Sequence, residues 1–426
     1  MAATVMVRRA LASLHGNRPF RLLWFSNLFF FGGVWTQTLV LGWLVYETTR
    51  SELLVAVYTA ARLAPMLLGP FAGAFADRHN RVRLLTIACA WALVAVSAVA
   101  ALTSLTRPPY WALVVGGLAV GLAQSPSQPA RASLVLDLVG RRNLSNANAL
   151  NSMAMNMTQV VGPAVGGLMI SGLGAPAALW ISTVWYAISL VLLLPLRGLG
   201  QVAHERSASA VQSVVSGLRA IVRNRLATAV LLVTLAANTL LWPIYQSFMP
   251  VFAQESLGLD AAGLGWLLTC GGVGGLIGSL VIAGMGDFRH KGAMFVVGTA
   301  GWGTLWALFA VSRNPVVSFV LMGAIGLMSA AFGVLQTTLL LITTEPHLHG
   351  RALGVQELAI GIMPVAALGL GALAEHFGLA ATTFVAAVLL VVCLVALTVW
   401  TPQLLNAELG SSADRPAATP SDVLSG

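Results

Sequence analysis

Twelve predominantly apolar runs, each about as long as a bilayer-crossing helix, follow one another through this chain with short polar breaks between them. They lie at roughly residues 22–46, 53–76, 84–105, 110–130, 146–170, 177–196, 226–252, 264–286, 293–312, 316–342, 353–375 and 380–400. About 20 apolar residues in a helix cover the hydrocarbon thickness of a membrane, and there the backbone must satisfy its own hydrogen bonds, as a helix does. The rest of the composition agrees. Of 426 residues, 58% are hydrophobic and 9% charged, with a mean hydropathy of +0.85, against about 25% charged in a soluble domain. Such a chain has too little polar surface to cover itself in water, which excludes a soluble enzyme. The expected fold class is an all-α integral membrane protein with twelve transmembrane helices.

The net charge of +9 would suggest nucleic acid in a soluble protein. Here it is an orientation signal, because cytoplasmic loops of membrane proteins collect Arg and Lys. With both termini inside, the cytoplasmic side receives 19 of the 23 basic residues, Arg131 among them; Arg50, Arg107 and Arg313 are outside, and Arg62 alone falls within a span. Both termini are therefore expected in the cytoplasm, in the inner membrane of a bacterial-type cell, with the bilayer rather than nucleic acid as partner. The start has paired arginines without a short apolar core and cleavage site, so no removed signal segment is expected.

Five segments follow: an arm at 1–21, a six-helix bundle at 22–196, a linker at 197–225, a second bundle at 226–400 and a polar tail at 401–426, expected to be disordered. Within the linker, VQSVVSGLRAIVRNR is amphipathic and reads as a helix lying along the membrane surface. The two bundles echo each other at an offset of 210 residues: Asp77 with Asp287, Arg81 with Lys291, Gly140-Arg141 with Gly350-Arg351, all in equivalent loops. Parallel repeats of this kind are a transporter plan with the substrate between pseudo-symmetric halves.

Chemistry-bearing residues are scarce. Cys89, Cys270 and Cys393 lie in apolar runs without metal spacing, and the 14 carboxylates and 7 histidines leave little for a hydrolytic or metal site. The single lysine, Lys291, follows no phosphate-binding glycine loop. Neither cofactor, metal nor enzymatic activity is expected, and transport would run on an ion or substrate gradient.

Between the second and third runs stand Gly73, Asp77, Arg78, Asn80 and Arg81. Gly73 permits close helix approach, Asp77 suits a helix N-terminus in the other half, and Arg78 or Arg81 can pair with Asp137 at the end of the fourth helix. This loop resembles the signature of the major facilitator superfamily, departing from it at Asn80, where Gly is usual. The resemblance implies a twelve-helix facilitator fold and a latch at the inner gate, shared with Asp287 and Lys291; the alternative is a basic loop that only fixes orientation. Asn17 to Trp24, Gly42-Trp43, Pro129-Ala-Arg131, Asn146-Ala-Asn148 and Gly350-Arg351 look like the enterobactin-exporter-like and macrolide-efflux-like branch. Gly162, Pro163, Gly166 and Gly167 resemble half of the antiporter motif of drug exporters. With the glycines of the eighth helix they imply a tight seam between the halves, against generic helix packing as the alternative.

The superfamily lines its cavity with helices 1, 4, 7 and 10, which offer Asn27, Trp35 and Gln37, then Gln124 and Gln128, then Asn238, Trp242 and Tyr245, then Gln336. Mixed amide and aromatic faces suit an amphipathic small molecule. Arg62, near the middle of its span, either anchors an anionic group or bonds backbone carbonyls; a charge there has a purpose. For proton coupling the best carboxylate is Glu357, about two turns into the eleventh helix, with Glu375 and Asp77 weaker. The reading is a monomeric secondary transporter that exports a drug, siderophore or related small molecule by alternating access and proton antiport. An importer or uniporter, or a lysophospholipid flippase on the same fold, is the alternative, and a non-transporting sensor a third.

Overall fold

The computed structural model describes residues 17–68, 79–199, 210–285, 288–345 and 348–405. Helices begin where short polar side chains cap them. Asn17 accepts from Phe20 N to start α1 (Arg18–Thr49), and Ser51 accepts from Leu54 N to start α2 (Glu52–Leu63), which tightens into a 3-10 turn at Ala64–Leu68. Asn80 accepts from Arg83 N to start α3 (Arg81–Leu105). At φ −61° Asn80 is an ordinary N-cap, so Asn in place of Gly there serves the helix start rather than a left-handed turn.

α4 (residues 110–139) and α5 (residues 141–173) run on from one another, parted only by Gly140 at φ 68°, a left-handed conformation that glycine adopts without a Cβ clash. α6 (Ala175–Leu193) completes the first half. α7 (Ala210–Val222) is the amphipathic linker helix; it lies against the start of α12, where a Cβ on Gly217 would meet Arg351 O at 2.6 Å. The second half comprises α8 (Arg225–Ser247), α9 (Ala261–Gly284), α10 (Lys291–Val311), α11 (Pro315–Thr343), α12 (His349–Phe377) and α13 (Leu379–Trp400). α8 bends at Leu241 ahead of Pro243 and continues through a π turn, Phe252–Ser256.

Ten of these helices are long and apolar enough to cross a membrane. α2 has only 12 described α-helical residues, and Gln124 to Pro129 dilute the apolar character of α4. α4 also runs nine residues beyond the expected boundary near 130, which corrects the placement of Arg131: it stands inside the helix and is buried, not in a cytoplasmic loop.

Large apolar side chains such as Val94, Val297, Val320 and Val385 face outward around the bundle, as a lipid-facing surface requires. Two cores form within. One runs from Phe20 to Leu196 inside the first half. The other joins Leu39–Tyr46, Val55 and Leu113 of the first half with Phe248, Phe252, Leu264 and Trp302 of the second. The halves thus share a core toward the arginine-poor end, which carries Arg50, Arg107 and Arg313. Toward the basic end, where α3 and α10 begin, the first half has a core of its own.

Candidate functional site

At the arginine-poor end, polar contacts tie the halves together. Arg50 Nη1 donates to Gln254 Oε1 at 2.9 Å and lies 3.7 Å from Glu255, which also accepts from Tyr46 OH at 2.9 Å. Glu375 Oε2 accepts from Ser51 Oγ at 3.0 Å and from Leu53 N at 3.1 Å, extending the cap of α2 from across the interface. Ser171 Oγ donates to Asp260 at 3.1 Å and accepts from Ala262 N at 2.9 Å. Glu375, a weaker coupling candidate in the sequence, thus has an occupied structural place.

Beneath these bonds the helices touch backbone to backbone. A Cβ on Gly265 would stand 2.7 Å from Pro163 O and 3.0 Å from Gly167 Cα, and one on Gly371 would meet Ala56 Cβ at 2.3 Å. Small residues permit this approach. Further down, a Cβ on Gly272 would come within 2.9 Å of Gln159 O, the carbonyl that Pro163 leaves without its helical donor, and Thr269 Oγ1 donates to Val160 O at 3.1 Å. Gly162 and Gly166 face the other way, onto Trp35 and Thr36 of α1. The α9 glycines divide in the same manner. Gly265 and Gly272 meet α5, whereas Gly274 and Gly278 press on Gly323 and Leu327 of α11 within the second half.

Past Gln159 and Gly272, toward the basic end, α5 and α9 part around a cavity of about 900 Å³. Asn146, Asn156 and Gln159 of α5 line one wall, and Ser279 of α9 and Ser329 and Thr338 of α11 line the others. Its depth is aromatic. Trp242 and Tyr245 of α8 lie with Trp302 and Trp306 of α10; Trp242 is 5.8 Å from Trp302, which stacks on Phe332 at 5.6 Å. Lys291 and Phe288 border the cavity where α10 begins, 5.9 Å apart.

The predicted residues scatter around this geometry. Trp242 and Tyr245 line the cavity; the other predicted cavity residues are not among its walls. Asn238 turns back to Thr234 O at 2.8 Å, Gln37 accepts from Tyr186 OH at 3.1 Å, Trp35, Gln124 and Gln336 are half-buried, and Gln128 is exposed. Asn27 is buried, donates to Asn151 at 2.7 Å and accepts from Arg131, whose guanidinium sits 4.4 Å from the Phe30 ring centre. This network fastens α1, α4 and α5. Asn27 belongs to it and not to a cavity wall, because a buried guanidinium needs every acceptor within reach.

Arg81 donates to Asp137, joining α3 to α4, and Lys291 is buried at the cavity edge. Gly73, Asp77, Arg78 and Asp287 lie outside the described residues. Arg62 is buried, and its Nη2 donates to Gln246 Oε1 at 3.2 Å across the halves. Glu357 is exposed, without a hydrogen-bond or ion-pair partner among the described residues. It shares a helix face with Gly361, one turn on, which packs on the Met66 and Leu67 backbone of the first half.

Sequence reasoning missed three contributors: Trp302 and Trp306, on a helix not read for cavity residues; the polar face of α5, read only for its glycines; and Arg131, taken for a loop residue. Asn156 and Gln159 at helical spacing were the available signal.

Two helical halves, joined at one end and parted around a cavity toward the other, define a facilitator-type membrane transporter. The family described as transmembrane secretion effector, a branch of the major facilitator superfamily, matches residues 9–423, and the chain belongs to it. It is 26% identical to the multidrug efflux pump Tap of Mycolicibacterium fortuitum, over 92% of this chain and 98% of that protein. It is 23% identical to the staphyloferrin A transporter of Staphylococcus aureus, over 84% and 90%. A solved peptide transporter, POT in complex with sulfate, superposes with a TM-score of 0.77 at 13% identity, over 92% of this chain and 96% of that one, which shows the shared fold. The protein is a multi-pass cell-membrane protein of a transporter family, not of an enzyme family.

Proposed function

We propose that the protein is a secondary transporter that exports a small amphipathic molecule by alternating access, in exchange for protons. The reading includes twelve spans with both termini in the cytoplasm, counting α2 and α4 with the ten longer helices, so that the basic end is the inner one. The cavity between α5, α9 and α11 carries it. It lies toward the inner end, while glycine contacts and polar bonds hold the halves together at the outer end. This is the shape of an inward-facing loading state.

Trp242, Tyr245 and Trp302 give the ligand an aromatic bed, and the amides of Asn156 and Gln159 orient it without demanding one partner. Few polar groups on a largely apolar wall suit an amphipathic ligand. Arg81 with Asp137, together with Gly73, Asp77, Arg78, Asp287 and Lys291, would form the inner latch that closes once the ligand is aboard. Glu357, on the helix face that meets α2 of the other half, is the carboxylate proposed to exchange protons as the seam opens and closes. The efflux pump and siderophore transporter among its relatives support small-molecule export.

Inverted membrane vesicles carrying a proton gradient, read with a pH-sensitive dye, test the proposal. Drugs, siderophores and lysolipids are added one at a time. Dye recovery for one of them, lost in both Asp77→Asn and Glu357→Gln, is the expected result. Labelled-ligand movement that ignores the proton gradient, with the protein present and folded, would replace antiport by a uniporter or lipid flippase.

A further inference from the structure

Beside the cavity but outside its walls, where α1, α2, α6 and α8 meet, buried side chains present N–H and O–H groups that no group in the described protein accepts. Gln37 takes the Tyr186 hydroxyl on its Oε1, and its Nε2 has no partner. The Tyr58 hydroxyl has none. Arg62 makes its single hydrogen bond through Nη2 to Gln246, and its Nε has no acceptor. All three side chains are at least nine-tenths buried, with relative exposures of 0%, 2% and 4%.

They are neighbours. Tyr58 and Arg62 share one face of α2, four residues apart, and the charge on Arg62 interacts with both Tyr58 and Tyr186. α4 holds them in place, because a Cβ on Gly117 would meet the Tyr58 ring at 2.6 Å and one on Gly121 would meet Arg62 O at 2.0 Å. Among the described residues no carboxylate lies within ion-pair reach of Arg62.

Buried polar groups are almost always paired, and a buried charge is paired or functional. Here the unmet capacity is one-sided. A guanidinium, an amide N–H and a phenol all seek an acceptor, and the charge among them is positive.

We propose that Gln37, Tyr58 and Arg62 form a binding site for a small monovalent anionic group that accepts several hydrogen bonds. The group is either the carboxylate head of a transported molecule or a free inorganic anion such as chloride. Its arrival competes with Gln246 for the guanidinium. Because Gln246 stands one turn beyond Trp242 on α8, anion binding loosens a bond between the halves next to the cavity's aromatic bed. The site rests on buried donors and not on the direction or coupling of transport, so it can stand or fall apart from the exporter reading.

The test uses the full chain in nanodiscs. Sodium chloride and sodium benzoate are each titrated against sodium gluconate at constant ionic strength, following the unfolding midpoint and the binding of radiolabelled chloride. A bound anion raises the midpoint saturably. Expected are saturable stabilisation of the wild type, at least fivefold weaker anion affinity in Tyr58→Phe, and none in Arg62→Gln. Tyr58→Phe removes no hydrogen bond of the unliganded protein, so a merely structural tyrosine predicts an unchanged anion response, and this variant decides alone if Arg62→Gln does not fold. Benzoate that displaces chloride assigns the site to a carboxylate head, whereas chloride saturation indifferent to benzoate assigns it to an inorganic anion. Stabilisation that follows ionic strength alone, or an identical response in Tyr58→Phe, overturns the proposal.

Discussion

The two ends of the bundle differ in what brings the halves together. At the arginine-poor end α5 meets α9 through Gly167 and Gly265, and α2 meets α12 through Ala56 and Gly371, with backbones nearly in contact. Above these seams lie solvent-exposed polar bonds, Arg50 with Glu255 and Ser51 with Glu375. Toward the basic end α5 and α9 separate around the cavity, and the first half keeps its own core. Shape closes one end, therefore, and charge only decorates the closure. Dispersion between small residues falls by about a quarter to a half once helices part by roughly 0.5–1 Å, and exposed ion pairs contribute little. A closure made this way can hold firmly and still open.

The largest effect should come from filling the seam. Gly265→Leu drives a side chain into Pro163 O and Gly167 Cα and should hold the arginine-poor end open. Spin labels at positions 107 and 313 should then move apart, with a population shift of about tenfold or more, some 1.4 kcal/mol, and export should stop. Gly274→Leu is the counterpart. It strikes Gly323 O, inside the second half, and should lower thermal stability while leaving the ratio of open to closed states unchanged. If both variants behave alike, the seam between halves is no different from packing within one.

Glu357→Gln comes next. Glu357 has no partner among the described residues and shares a face with Gly361 on the α2–α12 seam. The variant should bind ligand at wild-type affinity yet lose uphill export under a proton gradient, while downhill exchange continues. Loss of binding instead would make Glu357 a ligand contact. Trp302→Ala should weaken ligand affinity about tenfold or more, as buried aromatic anchors do, with the spin-label distances unchanged. A changed distance distribution would mean that Trp302 holds the second half together rather than the ligand.

The sequence carried the membrane fold on its surface. Helix length, the scarcity of charge and the 210-residue echo are one-dimensional properties, and the caps at Asn17, Ser51 and Asn80 are local. The site was less legible, because which face of a helix meets a cavity depends on its neighbours. Asn27 and Gln37 stand on α1 with polar side chains of the right kind, but Arg131 and Tyr186 occupy them. Arg131 itself read as a loop residue because Gln124 to Pro129 imitate a helix end. α4 continues instead, and Arg131 is housed by Asn27 and the face of Phe30. The glycines of α9 could not be divided between α5 and α11 from spacing alone, since Gly271, Gly272, Gly274 and Gly275 crowd into one arc of less than half the helix circumference.

The smallest expected effect lies at the exposed ion pair of the arginine-poor end. Arg50 and Glu255 are more than half exposed, at 59% and 57%, so their attraction is screened by water and salt, and such pairs contribute about 0.2–1 kcal/mol. Glu255→Gln should therefore shift the partition at the arginine-poor end by no more than about fivefold. Part of even that belongs to Tyr46, whose hydroxyl can still donate to the amide oxygen of the glutamine. Raising the salt to 1 M shortens the screening length to about 3 Å and should reproduce most of the Glu255→Gln shift in the wild type while adding little to the variant. A shift as large as that of Gly265→Leu would mean that charge, not shape, closes this end. The glycine seams would then be a consequence of closure rather than its cause.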